Sequence, residues 1–464
     1  MTAAADSERP IKTVLVANRS EIALRVVRAC RELGLRSVVV YSTADAESIP
    51  VRLADDAVCI GPPEPGRSYL NIPNVIGAAL RTGADAIHPG YGFLSENADF
   101  ASVCAEEGLI FVGPSPETMA SLADKAVTRA LMSKAGLPLL PGTTATLTGA
   151  AEAEEIAERI GYPVILKAAA GGGGRGMRVV RAREEIEDAY RRTQTEASLA
   201  FGDGSLYLER YLEGARHIEV QVLADRYGNT VHLGERDCSV QRRHQKLLEE
   251  SPSPALDDAT RAAIGAAAVA GARSVGYEGA GTMEFLLDRD GGFWFMEMNA
   301  RLQVEHPVTE MVSGVDLVAE QLRIAQGRPL RIRQSDIEFR GHAIECRINA
   351  EDPERDFAPS TGRVTAYRPP AGPWVRVDSH LEEGMTVSPY YDALLAKVIV
   401  WAADRPAAID RMSRALDELV LTGPGLTTCA GFHRDAILAD PEFRSGDFDL
   451  DFVNRTSRTH QERT

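Results

Sequence analysis

Two hydrophobic periods alternate along the first quarter of the chain. Residues 12–18 form an apolar run of the kind buried on both faces, 21–33 repeat at helical spacing up to a stop at Gly34, and 37–41 are strand-like again. The alternation continues through the runs at 84–88 and 109–112. It predicts a βαβ series, hence a parallel sheet with helices on its faces. No GxGxxG follows the first strand, so dinucleotide binding of the Rossmann kind is disfavoured.

A different pattern appears at 293–306. From Glu297 to Glu305 every second residue is polar: Glu297, Asn299, Arg301, Gln303 and Glu305 alternate with Met298, Ala300, Leu302 and Val304. In an extended strand the first set shares one face and the second anchors the other. Just upstream, 281–292 reads as a strand running into a turn, with Asp290 and Gly291 as a two-residue hairpin loop. That loop sets Arg289 opposite Gly292 and, counting back, Glu284 opposite Glu297 and Thr282 opposite Asn299. Two carboxylates directly across a ladder repel one another. A divalent cation between them removes the conflict, and hard oxygen donors suit Mg²⁺, which completes its shell with water and nucleotide phosphates. Glu284, Glu297 and Asn299 are therefore the predicted ligands of a Mg-nucleotide site. A register slipped by one would turn Glu284 to the other face.

A helix over 124–134 leads into a second α/β unit, where strands over 162–167 and 177–180 flank the glycine run at 171–176. A Walker loop would enter a helix; a glycine loop between two strands is a hairpin flap. Glycine runs are commonly linkers. With Lys167 before this one and Arg175 inside it, the run reads as a lid whose backbone N–H groups close over phosphates. Strand-like stretches follow at 204–213 and 217–223. The block at 235–246, rich in Arg, Gln, His and Lys, is either a solvated face or an anion pocket opposite the metal strand. A third region opens near Arg340, with a strand over 341–349 and a helix near 407–419.

At 464 residues the chain exceeds one ordinary core and implies about two to four domains. Its net charge of −16 disfavours nucleic acid and anionic membranes as general partners. Six scattered cysteines without a CxxC point to a reducing, cytoplasmic setting and no zinc site. No apolar run reaches membrane-spanning length, the first ten residues lack a signal-peptide pattern, and both ends, including 455–464, read as disordered tails.

Motifs spread over nearly the whole chain resemble those of the biotin carboxylases within the ATP-grasp enzymes: VANRSEIALRVVRAC at 16–30, HPGYGFLSENADFA at 88–101, KAAAGGGGRGMRVV at 167–180, RHIEVQVLAD at 216–225, ERDCSVQRRHQKLLEE at 235–250, EMNARLQVEHPVTEMVSGVDL at 297–317 and GHAIECRINAEDP at 341–353. The resemblance implies an α/β and α+β multidomain fold. An N-terminal parallel α/β domain would cover 1–122, and an ATP-grasp domain 123–338 with a mobile glycine-rich lid at about 139–212. A C-terminal mixed α/β domain would cover 339–454, leaving 455–464 as a tail. The resemblance also implies that Lys125 and Lys167 hold nucleotide phosphates beneath the lid glycines Gly173 and Gly174. Glu209, Arg210, Tyr211 and Leu212 match the hinge that reads adenine, with His217, Gln241 and His244 near ribose and base. Glu284, Glu297 and Asn299 match ligands of Mg²⁺ or Mn²⁺, in agreement with the hairpin argument. Lys246, Arg301, Gln303 and Val304 match a bicarbonate pocket, Glu305 its general base, and Arg347 the residue beside the biotin ureido group. Ser20 stands where the family usually has Gly. Outside that pattern, an Arg such as Arg347 in an apolar strand is more often a structural ion-pair partner, here to Glu345 or Asp352, and His88 and His306 are core or turn histidines.

The implied reaction carboxylates biotin on a separate carrier protein, from ATP and bicarbonate through carboxyphosphate. It would be the first half-reaction of an acyl-CoA carboxylase, foremost acetyl-CoA carboxylase in fatty acid biosynthesis, with propionyl-CoA, another acyl-CoA or pyruvate as alternative acceptors. Expected partners are the biotin carboxyl carrier protein and carboxyltransferase subunits, since no Met-Lys-Met biotinylation site occurs here; a homodimer is expected, and neither nucleic acid nor membrane. Rival readings are an ATP-grasp ligase that passes carboxyphosphate to an amine, and a non-catalytic paralogue serving as a scaffold.

Overall fold

The computed structural model describes residues 10–143, 145–169 and 176–463, without the side chains of 458–463. The βαβ series folds as predicted. Strands β1 (Thr13–Val16), β2 (Arg36–Ser42), β3 (Asp56–Gly61), β4 (Ala86–His88) and β5 (Ile110–Phe111) make a parallel sheet in the order β3-β2-β1-β4-β5. Helix α1 (Ser20–Glu32) buries Ile22, Val26 and Cys30 along one stripe against this sheet. Ser20 has φ +62°, a left-handed conformation that favours glycine, and its hydroxyl is held 2.7 Å from His380 Nδ1. Two of the sequence motifs meet nearby. Asn18 Nδ2 donates to the carbonyls of Pro89 and Tyr91, and a Cβ on Gly90, at φ +64°, would meet that nitrogen at 2.9 Å.

A small antiparallel sheet follows, built from β6 (Val164–Ala168), β7 (Met177–Val180) and β8 (Leu206–Arg210) in the order β7-β6-β8. Helices Ala150–Ile160 and Ile186–Phe201 pack Ile156, Ile186 and Ala197 against its buried Val164, Leu166 and Leu208. The hairpin around the glycine run is present; Gly173, Gly174 and Arg175 themselves lie outside the described residues.

The largest sheet is antiparallel and has eight strands. Six are β9 (Arg216–Ala224), β10 (Thr230–Arg242), β11 (Gln245–Ser251), β12 (Gly279–Leu287), β13 (Phe293–Asn299) and β14 (His342–Asn349), in the order β13-β12-β9-β10-β11-β14, and strands Leu394–Ala402 and Val375–Ser379 complete the edge. The sheet is continuous across residue 338. Helix Asp258–Ser274 covers one end of its apolar face and helix Arg405–Glu418 the other.

Three expectations need correction. The polar alternation at 297–305 is not one strand: β13 ends at Asn299, Ala300 N donates to Glu96, and Glu305 caps helix His306–Ser313, whose Pro307 suits a first turn. The hairpin does not turn at a two-residue loop of Asp290 and Gly291. Asp288 N donates to Gly292 O at 2.8 Å around a three-residue loop, with Gly291 left-handed and the Asp288 carboxylate accepting from Asp290 N, Gly292 N and Trp294 Nε1. This shifts the register by one at Leu287–Phe293, and a bulge at Met296 shifts it back, so Glu284 still faces Glu297 and Thr282 still faces Asn299. Finally, 455–463 is no disordered tail. Helix Phe452–Arg463 is anchored by buried Phe452 and Val453 and by Arg455, which pairs with Asp449 at 2.8 Å.

Phe285, fully buried, meets Phe293 and Phe295 edge-on beneath the β12–β13 hairpin. Phe285→Ala is expected to cost about 3–5 kcal/mol, read as a lowered midpoint in denaturant unfolding followed by fluorescence.

Candidate active site

The central feature is a row of charges running straight across four strands. In the observed registers Glu297 on β13 faces Glu284 on β12, Glu284 faces Glu219 on β9, and Glu219 faces Arg236 on β10. Adjacent like charges would open the ladder. Arg236 closes one end: fully buried, it ion-pairs with Glu219 and donates to Gln221 Oε1 at 2.8 Å, Thr309 Oγ1 at 2.9 Å and Thr282 Oγ1 at 3.2 Å. Lys125, at the start of helix Lys125–Lys134, reaches Glu297 at 3.0 Å at the other end. In the middle, Glu284 is 3.0 Å from His217 Nε2 and 3.4 Å from Lys246 Nζ, and accepts from Asn299 Nδ2 at 2.8 Å and Gln303 Nε2 at 3.2 Å. Burial works to raise the Glu284 carboxyl, but Lys246 and His217 hold it well below the usual carboxylate range.

The loop after β13 carries the next residues into the same space. Arg301 donates to Glu96 at 2.8 Å, to Gln303 Oε1 at 2.6 Å and to Asn299 Oδ1 at 3.3 Å. Glu305 is almost completely buried between two cations: Lys246, which also reaches Glu219 at 2.6 Å, and Arg347 on β14 at 2.8 Å. Burial again favours the acid form, yet Lys246, Arg347 and Arg236 together hold Glu305 ionised far below its ordinary range. Arg347 is an ion-pair partner, but to Glu305 and Glu249 rather than to the expected Glu345 or Asp352. His88 and His306 are buried, and burial keeps both neutral.

On the lid side, Lys167 Nζ lies 2.5 Å from Glu209, whose carboxylate also pairs with Arg129. Burial, with Lys125 and Arg129 close by, draws the Lys167 ammonium down to about 7 against the pull of Glu297. Lys125, Lys167, Tyr211, His217, Gln241 and His244 line one cavity of about 1500 Å³ together with Glu284 and Glu297 of the acidic row, Val304, Glu305 and Arg347. That is more space than one drug-sized ligand needs. Of the predicted hinge, Glu209 turns its carboxylate inward to Lys167, and Arg210 and Leu212 are not on the cavity wall. Glu96, Glu219, Arg236 and Glu249 were not predicted. Glu219 was legible in principle, since it alternates with His217 and Gln221 on a strand; the others become functional neighbours only through tertiary pairing.

An antiparallel sheet bearing an acidic row, beneath a small strand-and-helix lid that supplies a lysine, defines an ATP-grasp enzyme. Residues 10–119 match the model of the biotin carboxylase N-terminal domain, 124–333 that of the carbamoyl-phosphate synthase L chain ATP-binding domain, and 345–455 that of the biotin carboxylase C-terminal domain. The chain is 55% identical over 445 residues to a biotin carboxylase of Nostoc sp., covering 96% of this chain and 99% of that one. Its structure matches the Campylobacter jejuni biotin carboxylase complex with β-γ-ATP at a TM-score of 0.94 and 49% identity, over 96% of this chain and 99% of the other. The biotin carboxylase domain dimer of Hydrogenobacter thermophilus 2-oxoglutarate carboxylase, holding MgADP, ADP and bicarbonate, matches at 0.92 and 48%, over 96% and 97%. The chain therefore belongs to the biotin carboxylase family, which are ATP-dependent ligases.

Arg236→Met should leave buried Glu219 with Lys246 as its one remaining cation and cost about 3–5 kcal/mol. Thermal unfolding of the purified variant checks this, and a melting temperature equal to wild type would show that Lys246 alone suffices.

Proposed function

We propose that this chain carboxylates biotin presented by a separate biotin carboxyl carrier protein, as the first half-reaction of an acyl-CoA carboxylase, with acetyl-CoA carboxylase in fatty acid biosynthesis as the foremost setting. The observation that carries the reading is Glu305 held between Lys246 and Arg347 in the same cavity as Lys125, Lys167, Glu284 and Glu297. Arg301, Lys246, Gln303 and the Val304 backbone would seat bicarbonate, and Glu305 would take its proton, making it a stronger nucleophile towards the γ-phosphate. Lys125 and Lys167 would steady the transferring phosphoryl group. Carboxyphosphate so formed would break down to CO₂ and phosphate, phosphate would take the biotin N1 proton, and Arg347 would pair with the enolate oxygen. Lid closure, through Gly173 and Gly174, would keep water from the labile intermediate. Tyr211 and Leu212, with the backbone at Glu209 and Arg210, would flank adenine, and His217, Gln241 and His244 would contact ribose and base.

The donor set fits a hard divalent cation, because Glu284 and Glu297 oppose one another beside the Asn299 amide; Mg²⁺ or Mn²⁺ held there would neutralise phosphate charge on the nucleotide. In this reading 1–122, 123–338 and 339–454 act as three units, the chain works as a homodimer in the cytoplasm, and carboxyltransferase subunits supply the acceptor. Relatives named for pyruvate carboxylase and 2-oxoglutarate carboxylase support a keto acid such as pyruvate as the acceptor of a second setting, beside propionyl-CoA or another acyl-CoA. Glu305 and Arg347, each in the anion cluster, favour biotin over an amine acceptor and a catalyst over a scaffold.

The deciding experiment is phosphate release from ATP with Mg²⁺ and bicarbonate, with and without free biotin. Stimulation by biotin is expected, and its absence despite nucleotide binding would favour an amine ligase or scaffold. Glu305→Gln should abolish the biotin-dependent rate with nucleotide affinity within about threefold of wild type. Arg347→Ala should lower the biotin-stimulated rate about tenfold more than the basal bicarbonate-dependent rate; equal losses would make Arg347 purely structural.

A further inference from the structure

Beyond Arg347 lie two buried carboxyls with no part in the steps above. Glu249 on β11 and Glu345 on β14 oppose one another in the antiparallel ladder, and both are completely buried. Arg347 shares their face, two residues along β14. Its Nε donates to Glu249 Oε1 at 2.6 Å, and a terminal nitrogen donates to Glu305 Oε2 at 2.8 Å. Among the described residues, the second oxygen of Glu249 and both oxygens of Glu345 have no hydrogen-bond partner.

A buried carboxylate with nothing to hold its charge takes a proton, and two carboxylates facing across a dry ladder do not both ionise. The charged and titratable groups around the pair are Arg347 and Cys346 on β14, Lys246 on β11, Cys238 on β10, Glu305 ahead of helix His306–Ser313, Tyr91 after β4, and Lys397 on strand Leu394–Ala402. Lys397 is taken by Glu21 at 3.1 Å and by the Val304 carbonyl at 2.9 Å, and Lys246 by Glu219 and Glu305. Arg347 is therefore the cation that the pair shares with Glu305. Burial pushes the Glu249 carboxyl up to about 7 against the pull of Arg347, and pushes Glu345 well above the ordinary range against the pull of Lys397.

We propose that Glu249 is a positioning residue for Arg347, with Glu345 beside it held protonated, and that ionisation of Glu249 decides how much of the Arg347 charge falls on Glu305. The inference rests on the reading that Glu305 is the base and that Arg347 meets biotin. With Glu249 ionised, the guanidinium is held by its Nε edge and its charge is divided between two carboxylates. With Glu249 protonated, the charge falls on Glu305 alone, which weakens that base and draws the guanidinium off the biotin side. Biotin-stimulated turnover should then rise with pH through neutrality.

The test is phosphate release against pH by the full chain, with and without free biotin, for wild type and Glu249→Gln. The wild-type biotin-stimulated rate is expected to climb with a midpoint near the Glu249 value of about 7. Glu249→Gln should lose the climb and run about tenfold slower above the midpoint, with nucleotide affinity measured as the control for folding. A variant that keeps the wild-type climb overturns the inference; a wild-type chain without biotin stimulation overturns instead the reading on which it rests. Infrared difference spectra of the wild type and Glu345→Gln decide the matter if Glu249→Gln does not fold. A protonated-carboxyl stretch at neutral pH that disappears in Glu345→Gln is expected, and its absence from the wild type overturns the inference.

Discussion

The molecule is organised around electrostatic compensation of the acidic row Glu297–Glu284–Glu219 across β13, β12 and β9. Three carboxylates abreast in one sheet would force its strands apart, so every element that touches the row brings positive charge to it. Arg236 comes from the next strand, Lys246 from the one after, and Lys125 from a helix. The same arrangement makes the face a receptor for cations and polyanions together. Where a cation bridges two carboxylates, phosphate oxygens find the remaining coordination sites, and the lysines lie within reach of them.

Such a row also explains why the site sits where separate parts of the chain meet. The N-terminal α/β region supplies Glu96, from the turn after β4, to Arg301 and Glu21, from α1, to Lys397, while Lys397 in turn fixes the Val304 carbonyl next to Glu305. The large sheet runs without a break from the metal-type carboxylates on β12 and β13 to Arg347 on β14. In the proposed reading, nucleotide, anion and biotin groups would thus be positioned by one surface, with the three-stranded unit of β6, β7 and β8 above it bringing Lys167. Preorganised charge on a sheet needs little rearrangement when the reaction develops new charge.

Much of this was legible in the chain, for identifiable reasons. Period-two and helical patterns located the parallel sheet and the hairpin, because each element buries one face. The facing of Glu284 and Glu297 came out correctly although the turn did not. A three-residue loop and the Met296 bulge displace the register in opposite senses, and local sequence carries no clear mark of a bulge whose extra residue lines a cavity. The polar residues after Asn299 were read as strand because they alternate. They reach the same cavity as a loop, since the run from Gln303 to His306 turns into a Pro-initiated helix. Helix Phe452–Arg463 was missed because it is predominantly polar; buried Phe452, Val453 and Thr456 and the ion pairs of Arg455 hold its first turns, too short a stretch to stand out as a periodic stripe. Motif resemblance named the site residues but not Glu249 or Glu345, which matter through the ladder pairing of β11 with β14.

The state of Glu305 contains an apparent contradiction. A carboxylate held ionised by Lys246, Arg347 and Arg236 is a feeble base, yet base is the role assigned to it. The resolution lies in who shares those cations. Lys246 and Arg301 are also the anion-seating groups of the proposed site, so an entering bicarbonate would take up part of the Lys246 charge that Glu305 shares only with protein carboxylates in the substrate-free chain. Its proton affinity rises at the moment a proton is offered. Before that, the ion pairs keep Glu305 in the acceptor form and fixed in place. A base activated by its own substrate needs no high resting pKa, and burial, the term that opposes ionisation of Glu305, becomes the force that drives proton transfer once the cations are shared.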